Sequence, residues 1–301
     1  MATLKTQRKL TELLDPKFMA RLDGLDVLSR KILQGKMQGE RRSKRRGEGV
    51  EFADHRPYVS GDDLRFVDWN IYGRLDLLFL KLFLEEQDLS VHLMLDASGS
   101  MNYGEPSKHM AVRRLGAALG YISLVNNNRL SVTLIGDGVA GQMANMRGRQ
   151  YMPQLAELLL GRDSDGPSDF DRACRNVVNA RGGRGIMVVV SDFLFKEGYQ
   201  QGLRRLVSRQ YELYAIQVLC PQEMEPTLAG DLKLMDLEDD DDAEVTVSSA
   251  LLKAYKRNLS AYCSELKEFC AGRGGRYMLA SSADPIESIV LNALRRGGLL
   301  K

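Results

Sequence analysis

Between Leu89 and Leu279 the sequence alternates short apolar runs with longer amphipathic segments. Short apolar runs bounded by turn residues are typical of buried strands, whereas apolar residues repeated at helical spacing indicate helices. Such alternation favours a mainly parallel sheet with helices on both faces. The predicted fold class is therefore a doubly wound α/β domain, preceded by an N-terminal extension of helical and irregular character.

The pattern places the elements of this domain. Buried strands are predicted at Ser90–Asp96, Leu130–Gly136, Gly185–Asp192, Tyr211–Leu219 and Arg276–Ala280, with an antiparallel edge strand at Val139–Ala144. Helices are predicted at Ser107–Val125, Met152–Leu160, Phe170–Ala180, Tyr199–Ser208, Ser249–Ala271 and Pro285–Leu294. Between the last two strands, Asp231–Val247 predicts a hairpin with an acidic tip.

Residues 1–87 lack this alternation, which predicts a boundary near Gln87 and an α/β domain over 88–301. Helical segments are predicted at Leu4–Leu14 and Pro16–Met37. The net charge of +2 does not favour nucleic-acid binding by the whole chain, but the charged residues are unevenly distributed along the sequence. Eight Lys or Arg and one Glu lie from Arg30 to Arg46, whereas residues 231–244 hold eight acids and one Lys.

The composition is that of a protein with a sizeable core, since 44% of residues are apolar and 27% charged. No apolar run approaches the roughly 18 residues of a membrane span, and the N-terminus does not resemble a signal peptide, so a cytoplasmic location is expected. The three histidines and four cysteines show no zinc-ligand spacing. The cysteines are interpreted as structural thiols: Cys174, Cys220, Cys263 and Cys270.

Oxygen-bearing side chains follow the first predicted strand, where Asp96, Ser98 and Ser100 have the spacing Asp-x-Ser-x-Ser. In an open α/β sheet, ligand sites gather at the carboxyl ends of strands. A second strand would bring Asp192 beside Asp96, and the loop before Phe170 offers Ser168 as a third hydroxyl. One carboxylate with hydroxyls suits a hard cation such as Mg²⁺. The alternative is that the serines cap the next turn and Asp192 is a turn residue.

These residues resemble the metal-ion-dependent adhesion site of von Willebrand factor A domains. Asp96, Ser98 and Ser100 match its first loop, Ser168 takes the position usually held by Thr, and Asp192 matches its late aspartate. The resemblance implies strand order three-two-one-four-five-six and a bound Mg²⁺, Mn²⁺ or Ca²⁺ with one position open to a partner's acidic side chain. Serine lacks the methyl group that restrains threonine, so a weaker site or participation of Asp169 is also open.

A second resemblance covers the segment before the first strand of the domain. It resembles the DUF58 family in an EF-x-x-x-R-x-Y-x-x-GD-x-x-R-x-x-DW block, here Glu51, Phe52, Arg56, Tyr58, Gly61, Asp62, Arg65, Asp68 and Trp69. The resemblance implies bacterial or archaeal origin and association with MoxR-type AAA+ ATPases. It does not imply an enzyme.

The block has two interpretations. Asp62, Arg65, Asp68 and Trp69 would form a recognition surface, because exposed Arg and Trp are typical interface anchors. Alternatively they form a structural clamp in which Arg56 or Arg65 pairs with Asp62 or Asp68, while Trp69 packs beneath the α/β domain.

A run of basic residues precedes the block and is a candidate partner-binding segment, here named the basic cluster: Arg41, Arg42, Lys44, Arg45 and Arg46. It would contact phosphates, an anionic membrane or an acidic protein, or form a solvated face. No aromatic residues are interleaved within it, which disfavours nucleic acid.

The sequence therefore predicts a metal-dependent protein interaction module rather than an enzyme, acting as an adaptor or co-chaperone with a MoxR-type AAA+ ATPase and unidentified client proteins. One alternative is a Mg²⁺-dependent phosphohydrolase of the haloacid-dehalogenase type, although Ser98 replaces the second aspartate, which is that family's general acid. The other alternative is a scaffold with a vestigial metal site.

Overall fold

The computed structural model describes residues 11–28, 51–84, 89–161, 168–180, 185–208, 211–227, 230–235 and 242–301. The basic cluster lies outside these residues. Contacts divide the chain into two compact units, one of residues 29–88 and one that joins residues 1–28 to residues 89–301. The sequence pattern instead predicts that residues 1–28 belong to the extension.

Ten strands are present in the described ranges. They are β1 Glu51–Pro57, β2 Phe79–Leu84, β3 Ser90–Asp96, β4 Arg129–Gly136, β5 Gly138–Met146, β6 Ile186–Ser191, β7 Glu212–Leu219, β8 Gly230–Met235, β9 Asp242–Val247 and β10 Arg276–Ser281. Six of them form one sheet in the order β10-β7-β6-β3-β4-β5, where only β5 is antiparallel to its neighbour. When these six strands are numbered along the chain, with β3 as one and β10 as six, the order read from β5 is three-two-one-four-five-six. The predicted fold class, strand order and antiparallel edge strand are therefore confirmed.

The helices alternate with these strands. They are α1 Pro16–Leu22, α2 Trp69–Leu75, α3 Lys108–Val125, α4 Met152–Leu160, α5 Phe170–Asn179, α6 Gln200–Ser208, α7 Pro221–Met224, α8 Ser249–Ala271 and α9 Ile286–Ser288. A π-helical segment, Ile289–Leu294, continues α9. Within the described ranges, none of the helices combines the length and apolarity that crossing a bilayer requires.

Burial of the central strands explains why the sheet forms. Every residue of β6 and β7 is buried, and β6 reads Ile-Met-Val-Val-Val-Ser, the β-branched composition of a parallel strand covered on both faces. Helix α3 packs closely on β3 because Gly116 has no side chain. A Cβ there would lie 2.4 Å from Leu95 Cδ1. This close approach holds the middle of α3 against the end of the central strand.

The helix predicted at Pro16–Met37 is wrong in its length, because α1 ends at Leu22. The chain then turns at Gly24, and Val27 forms an antiparallel bridge with Leu300 near the other terminus. The Asp23 carboxylate also accepts a hydrogen bond of 2.7 Å from Tyr121 on α3. Tertiary contacts with the α/β unit therefore override the local helical pattern.

The unit of residues 29–88 contains the β1-β2 antiparallel pair and α2. Arg56 donates two hydrogen bonds of 2.7 Å to Asp62, one of the pairings expected for a structural clamp. Arg65 pairs instead with Asp63. Trp69 lies at the first turn of α2 and is exposed within this unit, so its packing beneath the α/β domain stays a prediction. The block thus combines an internal ion pair with an exposed aromatic side chain.

Strands β8 and β9 form the predicted hairpin, pairing from Gly230 with Val247 to Met235 with Asp242. Its acidic tip at residues 236–241 lies outside the described residues.

Candidate metal centre

The candidate site lies at the carboxyl edge of the sheet, where three neighbouring strands end. Leu95 of β3 is paired with Val190 of the parallel strand β6, so Asp96, the last residue of β3, and Asp192, the residue after β6, lie at neighbouring strand ends. On the other side, the Asp169 N–H donates to the Gly136 carbonyl at the end of β4, at 2.8 Å. The chain order reverses on either side of β3, which makes this edge a topological switch point, the usual place for a ligand in an open α/β sheet.

Asp96 lies at the centre of a network of hydroxyl groups. Its Oδ1 accepts hydrogen bonds from the Ser98 N–H at 3.0 Å and from Ser98 Oγ at 2.7 Å. Ser98 Oγ lies 3.0 Å from Ser100 Oγ. Ser191 at the end of β6 donates to Asp96 Oδ2 at 2.5 Å. The structure therefore brings Asp96, Ser98 and Ser100 together as predicted, and adds Ser191.

The Asp96 carboxylate is almost fully enclosed, with 2% of the residue exposed. Burial, together with the nearby charge of Asp192, raises the pKa of Asp96 to about 6, although hydrogen bonds from Ser191 and Ser98 act in the opposite direction. Within the described ranges, the ion pairs include none made by Asp96. This carboxylate is thus enclosed by serine hydroxyls and one backbone N–H, with no cationic partner among the described residues.

Asp192 is equally buried but has a different partner. Its Oδ2 accepts a hydrogen bond of 2.7 Å from the Lys108 ammonium, and its Oδ1 accepts one of 3.0 Å from the Leu194 N–H. Lys108 also donates to Glu223 Oε1 at 2.5 Å. Burial alone lowers the pKa of Lys108, but the charges of Asp192 and Glu223 outweigh burial and raise that pKa above its usual value. The ammonium is therefore a permanent internal cation.

Ser168 lies just before α5 and is partly buried. Its loop contacts the end of β4 through the hydrogen bond from the Asp169 N–H to the Gly136 carbonyl. Its neighbour Asp169 is the N-cap of α5, because the Asp169 carboxylate accepts a hydrogen bond of 2.7 Å from the Arg172 N–H. The structure thus places Ser168 at the same edge of the sheet as Asp96. It gives Asp169 a capping role, which accounts for that carboxylate without a metal.

The donor set suits a hard cation. Across the described residues, no group of three or more His, Cys, Asp or Glu side chains is placed to hold a metal. The gathered groups are instead one carboxylate and hydroxyls, all oxygen donors, and Mg²⁺ commonly binds one or two carboxylates while it retains waters. A buried anion with no cationic partner gains most from such an ion, because enclosing a charge without compensation is costly.

The sequence motifs do not indicate Ser191, Lys108 or Glu223 as members of this site. Lys108 carried one local signal, since it is the first residue of α3 and the helix dipole disfavours a cation there. A basic residue at that position indicates a compensating acidic partner. The identity of the partners is set by the fold, because Asp192 and Glu223 are 84 and 115 residues away along the chain.

The chain is similar to bacterial proteins over most of its length. Uncharacterized protein Rv1480 of Mycobacterium tuberculosis is 27% identical over 301 residues, covering 95% of this chain and 92% of that protein. Uncharacterized protein MAV169 of Mycobacterium avium is 30% identical over 119 residues, covering 38% of this chain and 70% of that protein.

Solved structures show weaker likenesses. An aerotolerance-related membrane protein from Bacteroides fragilis is 16% identical, with a TM-score of 0.40, over 69% of this chain and 98% of that one. The VWA domain of SpRpn10 is 12% identical, with a TM-score of 0.39, over 69% of this chain and 95% of that one. Such scores carry no information about ligands or partners of this chain. The family model described as "Protein of unknown function DUF58" matches residues 54–262, most of the chain, and the chain therefore belongs to the DUF58 family.

Proposed function

We propose that this chain is a non-catalytic protein interaction module that binds its partner through a divalent cation at the end of β3. Asp96, Ser98 and Ser100 hold the cation, Ser168 completes the set directly or through a water, and Asp192 contributes from the neighbouring strand. The cation is Mg²⁺, with Mn²⁺ and Ca²⁺ as the other candidates. The partner is a MoxR-type AAA+ ATPase, and the chain serves it as an adaptor or co-chaperone.

The observation that carries the proposal is the environment of Asp96. Its carboxylate is enclosed at 2% exposure among hydroxyl groups, and the described residues provide it with no ion-pair partner. A cation would supply the missing charge, and hydroxyl ligands leave its own charge largely unneutralised. Such an ion retains attraction for one more anionic ligand, which makes an acidic side chain of the partner the expected ligand.

The ATPase partner rests on membership of the DUF58 family and on the resemblance described above. The non-catalytic role rests on the chemistry of the loop. Ser98 occupies the position two residues after Asp96, and its hydroxyl donates back to that carboxylate. A serine with an ordinary hydroxyl is a poor proton donor to a leaving group, so the arrangement favours binding over hydrolysis.

The test is binding of a purified MoxR-type AAA+ ATPase from the same genome to the immobilised full chain, with Mg²⁺ and then with a chelator. Wild type is expected to retain the ATPase only with Mg²⁺, and Asp96→Asn is expected to retain it under neither condition. Asp137→Ala is the matched control, because Asp137 lies in the turn between β4 and β5 and its side chain is 71% exposed. Binding that is equal with Mg²⁺ and with chelator would contradict metal dependence.

A further inference from the structure

We infer that Lys108 is a built-in counter-cation that neutralises Asp192 from inside the protein and thereby limits the affinity of the site for divalent cations. The inference rests on the proposed metal site at Asp96. It concerns a residue outside the proposed ligand set, and it makes Lys108 a residue that tunes the strength of metal binding.

The position of Lys108 is unusual for a lysine. The residue is 1% exposed and begins α3, where the partial positive charge of the helix N-terminus opposes a cation. A lysine rarely lies fully buried unless it is paired. Here two carboxylates offset both costs, at 2.7 Å from Asp192 and 2.5 Å from Glu223. The ammonium is therefore held by charge, with little room to move away.

Pairing with Lys108 changes what Asp192 offers to a metal. Both carboxylate oxygens of Asp192 already accept a hydrogen bond, one from the ammonium and one from the Leu194 N–H. The ammonium also repels any second cation at the same strand ends, since like charges in a weakly polarisable interior interact strongly. Asp192 therefore contributes to the site with its charge already balanced by Lys108, and Asp96 is left as the carboxylate whose charge a metal can neutralise. A site with one such carboxylate binds a divalent ion more weakly than a site with two.

Lys108 also has a structural effect that an experiment must separate from its electrostatic effect. Glu223 accepts a hydrogen bond of 2.8 Å from the Cys220 N–H through its other oxygen. The ammonium therefore connects Asp192, the residue after β6, to Glu223 in α7, the short helix after β7. A neutral side chain at position 108 would loosen this connection and would also leave the carboxylates of Asp192 and Glu223 buried without their cation.

The experiment compares cation binding by the full chain in four variants: Lys108→Met, Lys108→Arg, Glu223→Gln and the double variant Lys108→Met with Glu223→Gln. Mn²⁺ and Mg²⁺ are titrated calorimetrically after chelator treatment, and thermal unfolding is recorded for each variant. The double variant removes one carboxylate together with the ammonium. It can therefore be compared with Glu223→Gln if Lys108→Met alone does not fold. Lys256→Met is the control, because it removes a half-exposed lysine whose partner is Glu225.

The expected result is that the double variant binds cations about tenfold more tightly than Glu223→Gln. Lys108→Arg retains the charge and should bind as wild type does, and Lys256→Met should be unchanged. A purely structural role would change the unfolding temperature of the double variant without tightening its metal binding.

The outcomes for Lys108 and for the proposed function are distinguishable. If wild type binds the cation and the double variant binds no more tightly than Glu223→Gln, the inference about Lys108 fails and the metal site stands. If wild type binds none while the double variant does, Lys108 has the inferred effect and the proposed metal dependence is wrong. If no protein in the series binds a cation, both are wrong.

Discussion

Two aspartates end neighbouring strands of the same sheet, and they are buried to the same extent by different means. Asp96 at the end of β3 and Asp192 after β6 are each 2% exposed. Asp96 is surrounded by serine hydroxyls, whereas Asp192 is paired with the Lys108 ammonium. Equal burial therefore comes with unequal compensation of charge.

The difference indicates which charge is balanced within the folded protein and which charge a bound cation would balance. The charge of Asp192 is balanced within the protein, so its removal should affect stability first. The hydroxyl groups around the Asp96 carboxylate can serve equally as metal ligands, so removing that carboxylate should affect metal binding first. Variants at the two positions are expected to separate these properties.

The largest effect on stability is expected for Asp192→Ala. Removing this carboxylate leaves the buried Lys108 ammonium with Glu223 as its remaining acidic partner, and breaking a buried ion pair in this way costs about 3 kcal/mol. Chemical denaturation of the metal-free protein measures the loss. A loss below about 1 kcal/mol would show that the pair with Lys108 contributes little to the fold.

Asp96→Asn is the matched comparison at the other strand end. We expect its free energy of unfolding without metal to stay within about 1 kcal/mol of wild type, because the amide retains one acceptor oxygen and removes a buried charge that has no cation. The same denaturation experiment measures it. Equal destabilisation by the two variants would remove the distinction between the two aspartates.

His92 on β3 is a third ionisable group to compare with Asp96 and Asp192. His92 is partly buried against Tyr211, and burial lowers its pKa to about 4. Because this value lies below the usual 6.5, the folded state resists protonation, so stability present above about pH 6.5 is lost as pH falls towards 4. Each pKa unit is worth about 1.4 kcal/mol, so we expect a loss of up to about 3 kcal/mol over this window. The loss should be absent in His92→Phe, and an equal loss in that variant would assign the acid sensitivity to other groups.

The sequence predicts what depends on local spacing and misses what depends on distant contacts. Asp96, Ser98 and Ser100 are neighbours along the chain, and a strand end necessarily brings them together. The pairing of Lys108 with Asp192 joins residues 84 positions apart, which no local pattern reveals. Likewise, the helical pattern after Pro16 continues past Gly24, but the helix ends at Leu22 and Val27 instead forms a bridge with Leu300, 273 positions away.

A smaller effect is expected from the loop before α5. Ser168→Ala should weaken cation affinity about tenfold, as loss of a ligand or of a supporting hydrogen bond does. Asp169→Ala should instead cost about 1 kcal/mol of stability, because Asp169 caps α5, and should leave metal affinity unchanged. Calorimetric titration and thermal unfolding separate the two. Weakened metal binding in Asp169→Ala with none in Ser168→Ala would show that Asp169 is the ligand.

The smallest effect is expected from the basic cluster, whose charges act at long range rather than at a single bond. Replacing Arg41, Arg42, Lys44, Arg45 and Arg46 with Ser should slow association with the ATPase a few-fold at low salt and flatten its salt dependence, since screening shortens the reach of exposed charges to about 10 Å at 0.1 M. Dissociation should remain unchanged. Association rates at two salt concentrations check this, and identical rates for variant and wild type would identify the cluster as a solvated face.

The most direct measurement is calorimetric titration of Mg²⁺ into the metal-free full chain, repeated with Asp96→Asn and Asp137→Ala. Asp96 ends β3 and Asp137 follows the adjacent strand β4, and of the two only Asp96 is buried among hydroxyls. Wild type and Asp137→Ala are predicted to bind one cation per chain with the same affinity, and folded Asp96→Asn is predicted to bind none. A folded Asp96→Asn protein that binds Mg²⁺ as tightly as wild type would contradict a metal centre at the end of β3.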